Sequence, residues 1–157
     1  MRTDEEREKW REEMRQKREE RRREAAERHR AAPFVRPLVA KAFKTLRRSG
    51  LICRMAFKCC MSCACAELEP MLKKSGKRAA VYFHRQDDAS FRDGYELHIR
   101  YAPLDGEDIP AWKALGQEVV EALKEQGLVV EWDGDVYNTI VVKTVESYRA
   151  LQPVEAT

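Results

Sequence analysis

Four of the chain's five cysteines fall within seven residues, in the stretch Phe57-Lys58-Cys59-Cys60-Met61-Ser62-Cys63-Ala64-Cys65-Ala66-Glu67. Thiolate sulfur is both a nucleophile and a ligand for soft metals, so such a cluster is where this chain could do chemistry. Cys60 and Cys63 make a Cys-x-x-Cys pair, and Cys59 adds a third thiol directly before it. The stretch joins a strand-like run to a helical pattern. At about 100° per residue, Cys59, Cys60 and Cys63 share a sector of about 100° while Cys65 points elsewhere. Three thiols are therefore expected to converge at a helix amino terminus, where free amides and the helix dipole favour thiolate.

Three readings of the cluster stand side by side. Free cysteine packs as a small hydrophobe, and Cys60, Cys63, Ala64, Leu68 and Leu72 could simply be the inner face of a helix. Cys59, Cys60 and Cys63 could hold zinc, with His84 as the fourth ligand or Cys53 in its place, because zinc asks for four nitrogen or sulfur donors. Cys60 and Cys63 could instead cycle between dithiol and disulfide. Against the last reading, no persuasive strand–helix–strand unit is legible around the motif.

A second constellation is His84-Arg85-Gln86-Asp87-Asp88 at the end of the strand expected over Ala79 to His84. A histidine beside carboxylates can ligate metal or act as a general base. Alternatively it is a strand-end residue, and Asp87 and Asp88 form a turn. His98 lies on the polar side of an alternating strand, and His29 has no ligand neighbours. No phosphate-binding glycine loop, Gly-x-Ser-x-Gly elbow or His-Glu-x-x-His motif occurs, so no catalytic residue is assigned.

The third feature is a charged arm. Residues 1 to 31 hold 12 Lys/Arg and 10 Asp/Glu, although the whole chain of 157 residues carries a net charge of only +3. Thr3-Asp4-Glu5-Glu6 reads as a capping box. Glu5/Lys9, Glu13/Lys17, Glu19/Arg23 and Glu24/Arg28 are helix-supporting i, i+4 pairs. Trp10 and Met14, one turn apart, are too little apolar surface to bury a helix face. The arm is thus a solvated helix that projects, and Trp10, Met14 and Arg21-Arg22-Arg23 are its candidate partner contacts. A protein partner is favoured over nucleic acid, because interleaved glutamates repel a phosphate backbone.

Around these features the sequence sets a body. Pro33 and Pro37 disfavour helix before them, which places a boundary between Ala31 and Arg36. The organisation expected is a charged arm over 1–31, an α+β domain over 32–150 and a disordered tail over 151–157. Helices are read over Pro37 to Ser49, Cys60 to Lys74 (kinked or broken near Glu69 by Pro70) and Ala111 to Gln126. Strands are read over Leu51 to Phe57, Ala79 to His84, Tyr95 to Tyr101, Leu128 to Trp132 and Thr139 to Lys143, the last two a hairpin across Asp133-Gly134. The helix end Leu46 to Leu51 is echoed by Leu123 to Leu128, each with a glycine before a strand. The fold class is α+β, a mostly antiparallel sheet with helices on one face and a projecting charged amino-terminal helix.

With these motifs in hand, the sequence resembles a family of small bacterial proteins with no assigned activity. The resemblance rests on Gly50-Leu51, on Phe57 to Cys60 with Cys63 and Glu67, on Tyr82-Phe83-His84-Arg85-Gln86-Asp87, and on Gly127-Leu128 with Trp132 and Gly134. It covers about residues 37 to 143 and singles out the same residues, but it implies no reaction.

No apolar run approaches the roughly 18 residues that span a bilayer, so a membrane protein is not expected. With no apolar stretch behind Met1 and an odd number of cysteines, reduced thiols in the cytoplasm are expected. The functional expectation is a small cytosolic binding or adaptor domain, more a binder than an enzyme, with a structural, zinc-capable cysteine cluster and a partner-contacting arm. The alternative is a small thiol-redox or metal-dependent enzyme using Cys60 and Cys63 with His84 and Asp87.

Overall fold

A computed structural model describes residues 1–152. The expected tail begins with Leu151, the last residue of a helix, and its residues 153–157 lie outside the described residues.

The first helix, α1, runs from Asp4 to Arg48. Its start is the capping box read from the sequence: the Glu6 amide donates to Thr3 Oγ1 at 3.2 Å, and the Thr3 amide donates to the Glu6 carboxylate at 2.8 Å. The break expected between Ala31 and Arg36 does not occur. Pro33 and Pro37 sit inside one unbroken helix, both on its exposed side. Each costs an interior helix about 3 kcal/mol. The opposite side buries Val35, Val39, Phe43 and Leu46 almost completely. Full burial of such side chains contributes roughly 1.5–3 kcal/mol each, so packing outweighs the local preference.

The chain continues as β1 (Leu51–Arg54), α2 (Met61–Ser75), β2 (Ala79–Tyr82), α3 (Arg85–Arg92), β3 (Leu97–Pro103), α4 (Ile109–Glu125), β4 (Val130–Glu131), β5 (Ile140–Val142) and α5 (Thr144–Leu151). Pro70 does not break α2, another place where helix packing overrides a proline. The strands form one sheet in the order β1-β2-β3-β5-β4. β1 and β2 are parallel, Cys53 beside Val81, and every other pairing is antiparallel. β4 and β5 pair as the expected hairpin, Val130 opposite Val142, but through a longer loop over 132–139 that bends at Gly134 and turns at Val136 and Tyr137.

Parallel neighbours require a crossover, and α2 supplies it. The chain therefore does contain a strand–helix–strand unit, β1–α2–β2. Leu51, Cys53, Ala79 and Val81 alternate onto the face where α1 and α4 build the main core with Phe43, Val119 and Leu123. Ile52, Ala80 and Tyr82 face the other way and pack against Ala64, Leu68 and Leu72 of α2. α2 spans only the β1–β2 end, which leaves β3 uncovered on that face.

Two short helices escaped the sequence reading. α3 occupies the segment read as a turn, and α5 packs on α1. Gly94 marks how closely α1 approaches the body: a Cβ there would lie 2.2 Å from the Arg28 carbonyl oxygen.

Candidate functional site

β1 delivers the chain into a loop over residues 55–60 in which Ala56 and Lys58 adopt left-handed backbone, with φ of 50° and 62°. For residues with a Cβ that conformation is strained, and it persists only where surroundings hold it. Here the holding groups are backbone. The Phe57 amide donates to Phe83 O at 2.9 Å, and the Arg85 amide donates to Lys58 O at 2.8 Å. The cysteine motif and the Phe83-His84-Arg85 motif, 25 residues apart in sequence, are thus bound edge to edge.

The loop ends at Cys60, the residue that precedes the first turn of α2, in extended backbone. The three thiols come together there as the helical spacing predicted. Cys59 Sγ lies 3.8 Å from Cys60 Sγ and 3.4 Å from Cys63 Sγ, and all three sulfurs fall within 4.8 Å of one another. Tetrahedral ligands at the zinc–sulfur distance of about 2.3 Å sit about 3.8 Å apart, so the spacing suits such an ion. Cys59 and Cys63 are exposed and Cys60 is half-buried. None belongs to either core cluster, which removes the reading of Cys60 and Cys63 as an inner helix face.

The electrostatics of the trio are unequal. The Cys60 thiol is lowered from its ordinary value, first by the Cys63 amide and then by hydrogen bonds from the thiols of Cys59 and Cys63. Cys63 is pushed up to about 11, first because hydrogen bonds to Cys59 and Cys60 favour its protonated thiol, and then because negative charge on those neighbours would repel its own. One thiolate forms readily at the helix terminus, and further ones wait for a positive charge to offset them.

The remaining cysteines stand apart. Cys65 Sγ lies 3.6 Å from Tyr82 Oη on the other side of the helix. Cys53, considered as a fourth ligand, is fully buried in the main core, and burial pushes its thiol up to about 11.

His84 is buried and does not join the thiol trio. It is the cap of α3: its Nδ1 accepts from the Asp87 amide at 3.2 Å, while Asp87 Oδ2 accepts from the His84 amide at 3.2 Å. This reciprocal box places the ring proton on Nε2 and leaves only that atom free. Burial lowers the His84 pKa, opposed by Asp87 and assisted by Arg100. Asp87 itself receives a two-point contact from Arg100, Nε at 3.1 Å and Nη2 at 3.3 Å. Asp88 is buried and accepts from Arg36 of α1 and, at 2.9 Å, from Arg92. Both aspartates, read as turn formers, are therefore ion-pair partners, Asp88 buried and Asp87 half-buried. Gln86 is exposed. His98 is an exposed strand residue whose Nδ1 is 2.7 Å from Thr139 Oγ1.

The sequence reading missed a groove. A cavity of about 480 Å³ opens beside the cysteine trio, between Met61 and Cys65 of α2 and the 136–139 loop. Tyr82 and Arg100 form its floor, and Trp112 and Tyr137 form a wall. It exists because α2 covers only half of that sheet face, a fact of topology with no local signal. The arm's candidate contacts are placed on the projecting part of α1: Trp10 and Arg21 to Arg23 are exposed, and Met14 is half-buried.

Fold and site together define an α+β domain with a surface trio of cysteines at the start of a crossover helix. The chain belongs to the family described as Domain of unknown function (DUF6891), whose model matches residues 1–150. That match takes in the arm, beyond the span of residues 37 to 143 that carried the resemblance. No curated protein and no solved structure matches the chain. No helix among the described residues is long and apolar enough to cross a membrane.

Proposed function

We propose that this protein is a binding domain, not an enzyme, whose cysteine trio holds a thiophilic divalent metal, zinc foremost, while its arm meets a macromolecular partner. The observation that carries the metal reading is the convergence of Cys59, Cys60 and Cys63 within 4.8 Å at a helix amino terminus. Cys60 binds first as the readiest thiolate. The ion then offsets the charge that keeps Cys63 protonated, so metal entry displaces thiol protons. The exposure of Cys59 and Cys63 leaves the fourth position to solvent. His84, expected as the fourth ligand, has Nδ1 committed to its cap and serves the site by holding the 83–85 segment on which the cysteine loop leans.

Because the trio lies outside both cores, the metal orders the 55–60 loop and does not hold the domain together. Elemental analysis of the purified chain is expected to give about one zinc per molecule. Cys60→Ser should weaken zinc at least 100-fold, and Cys65→Ser and His84→Asn should leave it within threefold. Zinc retained by the Cys60→Ser protein would refute the trio as the ligand set.

A second reading is favoured by the lowered Cys60 thiol at the head of a strand–helix–strand unit. Cys60 thiolate would attack a substrate disulfide, releasing one sulfur as thiol. Cys63 would then displace the other, closing a Cys60–Cys63 disulfide that carries the two electrons' oxidation. Cys59→Ser separates the readings: it should abolish metal binding, whereas disulfide exchange would survive it.

A further inference from the structure

The sequence shows the arm as alternating acids and bases, but the helix sorts them. At about 100° per residue, Arg7, Arg11, Arg15, Arg18 and Arg22 fall within a sector of about 80°. The acid inside that sector is Asp4, in the first turn. Glu8 and Glu19 flank one edge, and Glu12, Glu13, Glu20 and Glu24 lie about 60° or more beyond the edges. Glutamates repel a phosphate backbone only where they share the binding face. In the folded helix most of them point away.

All five arginines are exposed on a helix continuous from Asp4. Arg7 pairs with Asp4 at 3.7 Å and Arg15 pairs with Glu12, while Arg11, Arg18 and Arg22 have no ion pair among the described residues. Exposed pairs of this kind are worth about 0–1 kcal/mol, so exchanging them for another anion costs little. The stripe runs about 22 Å, at 1.5 Å per residue over 15 residues. It consists of arginine alone, the side chain whose planar fork matches phosphate oxygens two at a time.

Three occupants could meet this face, and the charge pattern selects one. An anionic membrane surface would need an apolar side to the helix, and Trp10 and Met14 are too little for that. A second copy could set its acidic side against the stripe, but exposed pairs without apolar burial make a weak dimer. A polynucleotide presents closely spaced phosphates and gains the entropy of released counterions.

We propose that Arg7, Arg11, Arg15, Arg18 and Arg22 form a one-sided phosphate-binding stripe by which the arm docks on the backbone of a nucleic acid. This rests on the reading of α1 as a partner arm and names the partner. The acidic far side restricts contact to one edge of the helix, and contacts made to phosphates alone carry no base sequence.

The test is fluorescence anisotropy of the full-length protein with a labelled 20-base-pair DNA duplex, an RNA duplex and a 20-nucleotide single-stranded RNA. On duplex, five phosphate contacts give a salt slope of about −4.5, so affinity should fall on the order of 10²–10³-fold between 50 and 200 mM salt. The triple variant Arg11→Gln, Arg15→Gln, Arg18→Gln should lose at least tenfold at 50 mM salt. Its charge-matched control off the stripe, Lys9→Gln, Lys17→Gln, Arg30→Gln, should lose less than threefold. Equal losses in the two triples overturn the stripe, since net charge alone would then explain binding. Arm-dependent binding of polyglutamate with none to any polynucleotide overturns the phosphate proposal and keeps the partner arm. A salt-sensitive dimer in sedimentation, abolished in the stripe triple, with no polynucleotide binding assigns the face to a second copy. No binding to either polymer together with a monomer overturns both.

Discussion

At the scale of single residues, the buried titratable groups do structural work next to the thiols, not among them. His84 is held below its ordinary value of 6.5, chiefly by burial. The unfolded chain therefore takes up the proton first as pH falls. The stability contributed by the neutral, capping ring is complete above pH 6.5 and is lost on descent from there through its lower folded value. The melting temperature is expected to drop between pH 7 and pH 5, and His84→Asn, which can cap without titrating, should flatten that dependence. Asp88 is the other test. It is the buried carboxylate between Arg36 and Arg92, so Asp88→Ala leaves Arg36 without its partner against Phe83 and Phe91. A loss of about 1–3 kcal/mol in denaturant unfolding is expected, moderated by the exposure of Arg92.

At the scale of elements, α1 is one helix with two roles. From Ala31 onward it is a core helix, and before Ala25 its residues are exposed, apart from the half-buried Glu12 and Met14. The join is made by Glu27 to Arg149, by Arg28 over the Tyr95 ring and by the close approach at Gly94. Where the arm is cut therefore matters. Removing residues 1–24 is expected to shift the melting temperature by less than about 2 °C, while removing 1–31 should lower it visibly by taking the join and the buried Ala31. The prolines make an opposite prediction. Because both lie on the exposed side of a continuous helix, Pro33→Ala should stabilise the protein by about 1–3 kcal/mol, read by thermal and denaturant unfolding.

At the scale of the whole molecule, the sheet and α1 fix how closely the parts approach. Gly94 adopts φ of +83° with its missing Cβ against the Arg28 backbone, so Gly94→Ala meets both a forbidden dihedral and an immovable neighbour. A destabilisation of more than about 2 kcal/mol is expected from chemical unfolding. The same variant should leave zinc stoichiometry unchanged in whatever fraction remains folded, because the trio lies on the β1–α2–β2 crossover and not at the Gly94–Arg28 contact. The crossover β1–α2–β2 positions that unit, and its partial cover of the sheet leaves the groove beside Arg100 open.

Local chemistry determined a good deal. Helical spacing gathered Cys59, Cys60 and Cys63. Thr3 and Glu6 set the start of α1, and Gly76 ended α2. The loop holding Asp133-Gly134 joins the expected strand pair, and Tyr95 to Tyr101 alternated onto the core from Leu97. These signals lie within a few residues of the structure they specify, so they can be read one segment at a time. What the sequence hid depended on partners distant along the chain. Pro33, Pro37 and Pro70 read as breaks, and only burial against the sheet keeps those helices whole. Asp87 and Asp88 read as turn formers, and only the fold brings Arg100 and Arg36 to pair with them. The parallel pairing of β1 with β2, and hence the bond between the cysteine loop and the His84 segment, has no local mark, since strand order is decided by which faces bury together. The arginine stripe lies between these cases: its residues were visible from the start, but only the uninterrupted helix put them on one side.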